Sequence, residues 1–225
     1  MSHGKIIVIE GLDGSGKKTQ SKMLFNFLKS IKKNVKLVSM PNYESDSSGP
    51  VKMYLNSEIT DKPEQINAFA TSSFFAVDRF INYVSNWKNF YEKDGSLIVC
   101  DRYVTSNMIY QLAKLDYSDW DEFLEWLYEY EYIRLGIPVP DLVIYLKVPV
   151  EVSQMLIYER YNEQNSKKDL HEKNLKFLKM CEETANYTSK KFKWETIDCL
   201  LDNKIDSFSS IFNKVLNIVT NRIVL

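Results

Sequence analysis

The chain opens with a glycine-rich turn that directly follows a short apolar run. Residues 5–10 read Lys-Ile-Ile-Val-Ile-Glu, and residues 11–19 read Gly-Leu-Asp-Gly-Ser-Gly-Lys-Lys-Thr. Glycines at this spacing let successive backbone N–H groups turn inward around phosphate oxygens, and the helix that follows adds its positive end. This order favours a nucleotide phosphate site over a purely structural turn. The predicted site comprises Gly11, Leu12, Asp13, Gly14, Ser15, Gly16, Lys17, Lys18 and Thr19.

Composition excludes several classes of partner. The chain has 29 basic and 30 acidic residues, so no long-range field attracts nucleic acid or an anionic membrane. Its three cysteines have no metal-ligand spacing, which is typical of a reducing compartment. No apolar run is long enough to span a bilayer. We therefore expect a cytoplasmic protein that binds neither nucleic acid nor membrane.

Short apolar runs alternate with helical periodicity along the whole chain. We predict strands at 5–10, 35–40, 96–101, 142–147 and 194–198, and helices at 17–32, 63–91, 106–115, 118–135, 150–161, 169–192 and 205–223. Alternation of this kind indicates one α/β domain over 1–225 with a doubly wound, five-stranded parallel sheet flanked by helices. The polar segment at about 160–169 is either a solvated connector or a short lid that closes over phosphates.

A second group of candidate residues lies on both sides of the third predicted strand. Two of them stand at the end of this strand, and two lie on the helix that precedes it. Asp101 and Arg102 stand at a strand end, where an aspartate can hold a metal-bound water and an arginine can bind a phosphate. Phe75 and Arg79 are four residues apart and share a helix face. Separately, each has an ordinary structural explanation, as core or as an ion pair. Together with the phosphate loop they favour a second nucleotide pocket.

These segments resemble the thymidylate kinase (dTMP kinase) family. The resemblance rests on residues 9–17, on Met-Pro-Asn-Tyr at 40–43, on Phe-Ala-Val-Asp-Arg at 75–79, on Asp-Arg-Tyr-Val-Thr-Ser-Asn at 101–107, on Tyr-Gln at 110–111 and on Pro-Asp-Leu at 140–142. It implies the P-loop nucleoside monophosphate kinase fold with a short lid. It also implies ATP and Mg²⁺ as cofactors, and a Met40-Pro41 bond that is cis in many relatives.

The resemblance also implies how the acceptor nucleoside is bound. Phe75 is expected to stack on thymine while Arg79 and Asn107 read its polar edge. Tyr110 is expected to press on the sugar where a 2′-hydroxyl would lie, which favours deoxyribose. Asp13 is expected to bind the 3′-hydroxyl and to help organise magnesium.

The remaining implied roles concern the phosphates. Tyr43 and Arg102 are expected to hold the acceptor phosphate, and Ser106 belongs to the same substrate-binding group. Lys17 is expected to reach the terminal donor phosphates. The implied catalytic set is Asp13, Lys17, Arg102 and Arg160.

The chain departs from the family pattern at its metal site. Lys18 stands where many relatives have the threonine that binds magnesium. The expected metal ligands are therefore the carboxylates of Asp13, Asp101 and Glu172, with water. The family's Asp-x-x-Glu element matches Asp169 and Glu172, which a helix N-cap and capping box would equally explain. His171 between them is expected at the surface.

A further departure concerns the transition-state charge. One branch of the family has an arginine directly after the P-loop aspartate, where this chain has Gly14. The bacterial-type branch supplies that charge from the lid, and its earlier lid arginine aligns with Leu156. This leaves Arg160, assisted by Lys167 or Lys168, as the predicted lid charge.

The function that the sequence implies is phosphorylation of dTMP to dTDP by ATP. The alternatives are a deoxynucleoside or other nucleotide kinase on the same fold, and a catalytically weak P-loop sensor. Lys18 and the arginine-poor lid support the sensor, whereas the complete set of acceptor residues argues against it; that set is Tyr43, Phe75, Arg79, Arg102 and Asn107. The resemblance further implies a homodimer that packs through the long helix after Pro63, with Phe69, Phe74 and Phe80 as candidate contacts; core packing explains these equally well.

Overall fold

The computed structural model describes residues 3–31, 33–164, 170–172 and 174–223, and it describes 159–164 by their backbone alone. The strands are β1 (Lys5–Gly11), β2 (Val35–Ser39), β3 (Leu97–Asp101), β4 (Leu142–Lys147), β5 (Glu195–Asp198), β6 (Leu200–Leu201) and β7 (Lys204–Ile205). In this part of the chain, the first five form one parallel sheet in the order β2-β3-β1-β4-β5. The last two form a separate antiparallel hairpin.

The α-helices connect successive strands. They are α1 (Lys17–Ser30), α2 (Gly49–Leu55), α3 (Ala68–Asn82), α4 (Lys88–Tyr91), α5 (Val104–Tyr110), α6 (Trp120–Tyr128), α7 (Val150–Gln164), α8 (Leu175–Lys191) and α9 (Phe208–Arg222). Turns of π-helix at Tyr83–Trp87 and Glu129–Arg134 prolong α3 and α6. Among the residues that the structure describes, every helix is too short or too polar to cross a bilayer.

The central strand β1 shows why the sheet is covered on both faces. Every β1 residue after Lys5 is buried. Successive side chains of a strand point to opposite faces. Ile6 and Val8 accordingly pack in a cluster with α3, α5 and α6, while Ile7 and Ile9 pack in a second cluster with α1 and α9. The doubly wound parallel sheet that the sequence predicts is confirmed.

The carboxyl ends of three neighbouring strands meet at one edge of the sheet. The glycine loop follows β1, Arg102 follows β3, and a cis Met40-Pro41 bond follows β2. In open parallel sheets, ligands bind in the crevice outside this edge. The fold therefore brings the two predicted phosphate-binding segments together.

Three predicted helices begin later than expected, because a polar side chain caps each one. The helix predicted at 63–91 begins as α3 only after Asn67. The side chain of Asn67 caps it by accepting hydrogen bonds from the N–H groups of Phe69 and Ala70. The 169–192 and 205–223 predictions fail in the same way, since Asn174 caps α8 and Ser207 caps α9. Such caps satisfy N–H groups that have no partner inside the helix.

Two other predictions need correction. Residues 161–164 are not loop, because α7 continues to Gln164. The rest of the predicted lid, 165–169, lies outside the described residues. The sequence also gave no sign of α2, a short helix with Pro50 in its first turn and with Val51, Tyr54 and Leu55 buried.

Candidate active site

A cavity of about 900 Å³ lies at the carboxyl edge of the sheet. Its walls come from the glycine loop, the β2–α2 connection, α3, α5 and the segment that leads into α9. Of the residues predicted from the sequence, those lining it are Asp13, Gly14, Ser15, Gly16, Lys17, Lys18, Thr19, Tyr43, Phe75, Arg79, Asp101, Arg102, Ser106, Asn107 and Tyr110. Gly11 and Leu12 are buried beside them.

The glycine loop has the backbone that a phosphate cradle requires. Gly14 and Gly16 have φ values of 81° and 85°, in the left-handed region that favours glycine. A Cβ on Gly14 would lie 2.6 Å from the carbonyl oxygen of Ser153, so no side chain fits there without moving α7. The hydroxyl of Ser15 is buried with no hydrogen-bond partner among the described residues. The left-handed glycines let successive backbone N–H groups of the loop turn towards an anion.

The lysine of the loop is held under it. The Lys17 ammonium donates a 2.7 Å hydrogen bond to the carbonyl oxygen of Leu12 and lies 3.9 Å from the Asp13 carboxylate. Burial lowers the pKa of Lys17 to about 8; the positive charge of Arg102 acts in the same direction, and Asp13 opposes it. Lys17 is therefore largely protonated at neutral pH and available to phosphate.

Asp13 joins the glycine loop to the segment after β3. Arg102 forms an ion pair with one oxygen of the Asp13 carboxylate, and the Tyr110 hydroxyl donates to the other at 2.9 Å. Burial raises the pKa of Asp13, but the charges of Arg102 and Lys17 outweigh it and hold this pKa well below its usual range. Asp13 is therefore ionised throughout the physiological range.

Arg102 is held in an unusual backbone conformation that turns it towards the loop. Its φ is 69°, which a residue with a side chain rarely adopts. Its guanidinium lies 4.0 Å from Glu10, a fully buried residue that accepts hydrogen bonds from the hydroxyls of Thr105 and Ser106. Glu10 thus fixes both Arg102 and the start of α5.

A buried ion pair lies at the other end of the cavity. Arg79 donates to both carboxylate oxygens of Glu131, at 2.6 and 3.2 Å. The amide nitrogen of Asn107 donates to the same carboxylate at 3.0 Å and to the Ser72 carbonyl at 3.2 Å. Arg79 and Glu131 are both almost inaccessible to solvent. Burial lowers the pKa of Arg79, but the negative charge of Glu131 raises this pKa by more than burial lowers it. The guanidinium therefore stays charged.

Glu131 is a site residue that the sequence motifs do not identify, since its segment is predicted only as part of a helix at 118–135. Leu124, Leu127 and Glu131 are spaced i, i+3 and i+7, so a helix places all three on one face. Leu124 and Leu127 are buried. An acidic residue on an apolar helix face needs a buried cation, and this was the available signal.

The β2–α2 connection is anchored to α3 by a second residue that was not predicted. Asp78 is buried, and its carboxylate accepts hydrogen bonds from the backbone N–H of Asn42 and the hydroxyl of Ser47. This places Tyr43, which is 52% exposed, at the cavity wall near Phe75. Phe75 itself packs edge-on against Tyr54.

Comparison with known proteins identifies the family of this chain. A thymidylate kinase family model matches residues 9–205. The chain belongs to the thymidylate kinase family. It is 31% identical to a thymidylate kinase of Plasmodium falciparum over 195 residues, covering 87% of this chain and 82% of that one. It is 27% identical to the Schizosaccharomyces pombe thymidylate kinase over 225 residues, covering 98% of this chain and 93% of that one.

A solved structure agrees on the fold. The Candida albicans thymidylate kinase superimposes with a TM-score of 0.67 at 20% identity, covering 98% of this chain and 93% of that one. At that identity the likeness concerns the fold alone. The family model and the sequence relatives make the chain a phosphotransferase of the thymidylate kinase family.

Several family-derived assignments lie outside what the structure describes. The side chain of Arg160 and the residues Lys167, Lys168 and Asp169 are among these. Arg160 as the lid charge stays a prediction. Glu172 is buried and precedes α8, so its expected place in a capping box is wrong: Asn174 is the cap.

The prediction for His171 was also wrong. His171 is 5% exposed and lines the cavity, because it packs between aromatic side chains of α2, α5 and α8. Sequence gave no periodic signal for this, since residues 170–172 belong to a turn outside any helix.

Proposed function

We propose that this cavity performs ATP-dependent phosphorylation of dTMP to dTDP, the reaction of the thymidylate kinase family. One observation supports the proposal most directly. The donor-side cation Lys17 and the acceptor-side cation Arg102 both approach the same oxygen of Asp13. Phosphates held by these two groups would face each other across Asp13, and phosphoryl transfer consists mainly of such positioning and charge neutralisation.

The donor side suits the triphosphate of ATP. The backbone N–H groups of the glycine loop and the N-terminus of α1 converge there, with Lys17 for the terminal phosphates. Asp13 and Asp101 supply carboxylates at this edge. Across the described residues, no three carboxylate, imidazole or thiolate groups form a metal cage.

Magnesium nevertheless fits this arrangement. Mg²⁺ usually takes only one or two carboxylates and completes its shell with water and substrate phosphates. We propose Asp13 and Asp101 as those carboxylates, with Glu172 as an additional candidate. When bound, the ion neutralises charge on the β- and γ-phosphates.

The acceptor side suits a thymine base. Hydrogen bonds among the described residues occupy two of the three guanidinium nitrogens of Arg79 and the amide nitrogen of Asn107. The third Arg79 nitrogen is then available as a donor for O4 of thymine. The Asn107 amide oxygen is available as an acceptor for N3–H. Phe75 offers its ring for stacking.

The same groups would reject cytosine. Cytosine presents an acceptor at N3 and an amino group at C4, which oppose the Asn107 oxygen and the Arg79 donor respectively. A buried mismatch of this kind leaves polar groups unpaired, which costs far more than a missing apolar contact. Base selection therefore depends on the fixed orientation of the Asn107 amide.

The transfer step follows from these positions. An oxygen of the dTMP phosphate attacks the γ-phosphorus of ATP, the bond to the bridging oxygen breaks, and ADP leaves with that electron pair. Lys17 and Arg102 contact the migrating group and stabilise its negative charge. No general base is needed, because the acceptor phosphate is already largely ionised near neutral pH.

An acceptor panel tests the proposal. Coupled ADP release is measured with dTMP, thymidine, dUMP, dCMP and dGMP. We expect dTMP to give the highest kcat/KM, dUMP to follow, and dCMP to fall at least about 100-fold below dTMP because of the unpaired groups. Tight ATP binding by calorimetry with no dTMP-dependent ADP release would instead identify a nucleotide sensor. Preference for thymidine would identify a nucleoside kinase.

The exposed face of α3 supports the expected homodimer. Val77, Ile81 and Val84 are 45, 41 and 48% exposed and follow one another at helical spacing, with Phe80 beside them. The earlier candidates Phe69 and Phe74 pack inside the protein, Phe69 against Phe123 and Trp126. We propose a second copy of the chain as the partner of this stripe, since contiguous apolar patches mark interaction sites.

Ile81→Glu should convert the dimer to a monomer, because it places a charge at the centre of the stripe. Leu201→Glu is the control, since Leu201 is an apolar residue of the β6–β7 hairpin that is 61% exposed, more than Ile81. Light scattering coupled to size exclusion gives the mass of each. A wild-type protein that is monomeric at tens of micromolar contradicts the assignment.

The free cysteine thiols support a cytoplasmic location for the protein. Cys100, Cys181 and Cys199 are free and buried. Free cysteines are typical of reducing compartments, so we place the reaction in the cytoplasm.

A further inference from the structure

His171 is a buried histidine that the proposed mechanism does not use. Its Nε2 atom and the Tyr54 hydroxyl share a 2.9 Å hydrogen bond. Its ring stacks on Tyr110 with 5.2 Å between centroids and 14° between planes, and it also contacts Phe177. The imidazole therefore joins α2, α5 and α8 at the wall of the cavity.

Tyr110 is the residue through which His171 reaches the site. The Tyr110 hydroxyl donates to the Asp13 carboxylate at 2.9 Å and accepts from the Asp13 backbone N–H at 3.1 Å. The Arg102 guanidinium lies 5.3 Å from the centre of the Tyr110 ring. The hydroxyl is thus fixed by the glycine loop, and the ring is fixed by two planar groups, Arg102 and His171.

The position of His171 is itself well determined. The backbone N–H of Leu170 donates to the carbonyl of Leu55 at 3.0 Å, and the carbonyl of His171 accepts from Asn174 at 3.1 Å. Burial lowers the pKa of His171 to about 3, although Asp13 raises it. The ring is therefore neutral at physiological pH and adds no charge to the site. Its contribution is shape and contact.

We propose, building on the function proposed above, that His171 is a positioning residue that sets sugar specificity. The family resemblance gives Tyr110 the role of excluding a 2′-hydroxyl from the acceptor sugar, and the stacked His171 ring holds the tyrosine in the position for that role. Without this support Tyr110 gains room to rotate about its hydroxyl anchor. The acceptor site then widens, while the donor site around the glycine loop keeps its own contacts.

The experiment compares dTMP with ribothymidine 5′-monophosphate as acceptors. For His171→Ala we expect KM for dTMP to rise about tenfold, the preference for dTMP over the ribonucleotide to fall about tenfold, and KM for ATP to stay within about twofold. His171→Phe keeps a planar ring and should lose at most about threefold in either quantity. Tyr54→Phe removes only the hydrogen bond and should behave like His171→Phe. His3→Ala, at the other histidine of the chain, is the control.

The outcomes separate this inference from the function on which it rests. A wild-type protein with no dTMP-dependent ADP release overturns the function before any variant is compared. An active wild type together with a folded His171→Ala that keeps both KM and sugar preference overturns the inference. If His171→Ala does not fold, His171→Leu fills the space without a planar ring, and unchanged sugar preference in that variant is equally decisive.

Discussion

Arg102→Ala should lower kcat for dTDP formation by about 10³-fold, the scale associated with removing an arginine from a transferring phosphoryl group. Arg102 is the cation that connects the acceptor side to Asp13, and its strained backbone conformation aims it there. Lys17 keeps its hydrogen bond to the Leu12 carbonyl without Arg102, and loss of the neighbouring positive charge favours its protonated form, so ATP affinity should change by less than about threefold. Steady-state ADP release gives kcat, and calorimetry with ATP gives the affinity.

Two further variants make this test specific. Arg134→Ala removes an exposed arginine whose partner is Glu129, and it should leave kcat unchanged. Arg102→Lys keeps the charge but loses the planar fork, so an intermediate loss is expected. If Arg102→Ala turns over within about threefold of the wild type, the acceptor phosphate is bound elsewhere.

The sequence predicts those parts of the fold and of the site that depend on residues adjacent in the chain. The glycine loop is a local backbone conformation, so its glycines and Lys17 identify it directly. Arg102 is recognisable for the same reason, since it follows a buried strand end. The sheet is predictable because a strand buried on both faces has a continuous apolar run, as Ile6–Ile9 of β1 show.

The residues that sequence reasoning missed act through partners distant in the chain. Glu131 is 52 residues from Arg79 and 24 from Asn107. His171 is 117 residues from Tyr54. Nothing in the local pattern says that these side chains meet, because the meeting depends on how α2, α3, α5 and α6 pack. The helix starts at Asn67 and Asn174 were missed for a different reason: apolar periodicity continues past a cap that only its hydrogen bonds reveal.

Glu131→Gln should damage both stability and base selection. The carboxylate accepts three hydrogen bonds, two from Arg79 and one from Asn107. A glutamine has one acceptor oxygen, and its amide NH₂ group would face an N–H donor of Arg79 or Asn107. Arg79 would then keep its positive charge without a negative charge to balance it. Losing one partner of a buried ion pair costs about 3–5 kcal/mol, which urea denaturation would measure as a drop in the free energy of unfolding.

The kinetic effect of the same change should be confined to the acceptor. With its Glu131 anchor altered, the Asn107 amide is held by the Ser72 carbonyl and should reverse more readily, which turns its nitrogen towards N3 of the base. We expect kcat/KM for dTMP to fall about 100-fold and the preference for dTMP over dCMP to fall at least about tenfold. KM for ATP should not change. Glu129→Gln, which alters the exposed Glu129–Arg134 pair on the same π-helical segment, is the matched control.

A double variant separates the two roles of Glu131. Arg79→Met combined with Glu131→Leu removes both charges and leaves no uncompensated ion, so it should recover most of the stability that Glu131→Gln loses. It should not recover base selection, because it lacks both the Arg79 donor and the Glu131 carboxylate that helps to orient the Asn107 amide. A double variant that is stable and still prefers dTMP over dCMP to the wild-type extent would show that other groups read the base. Stability without selectivity would show instead that this ion pair is retained for recognition, since an apolar pair of similar volume fills the same space.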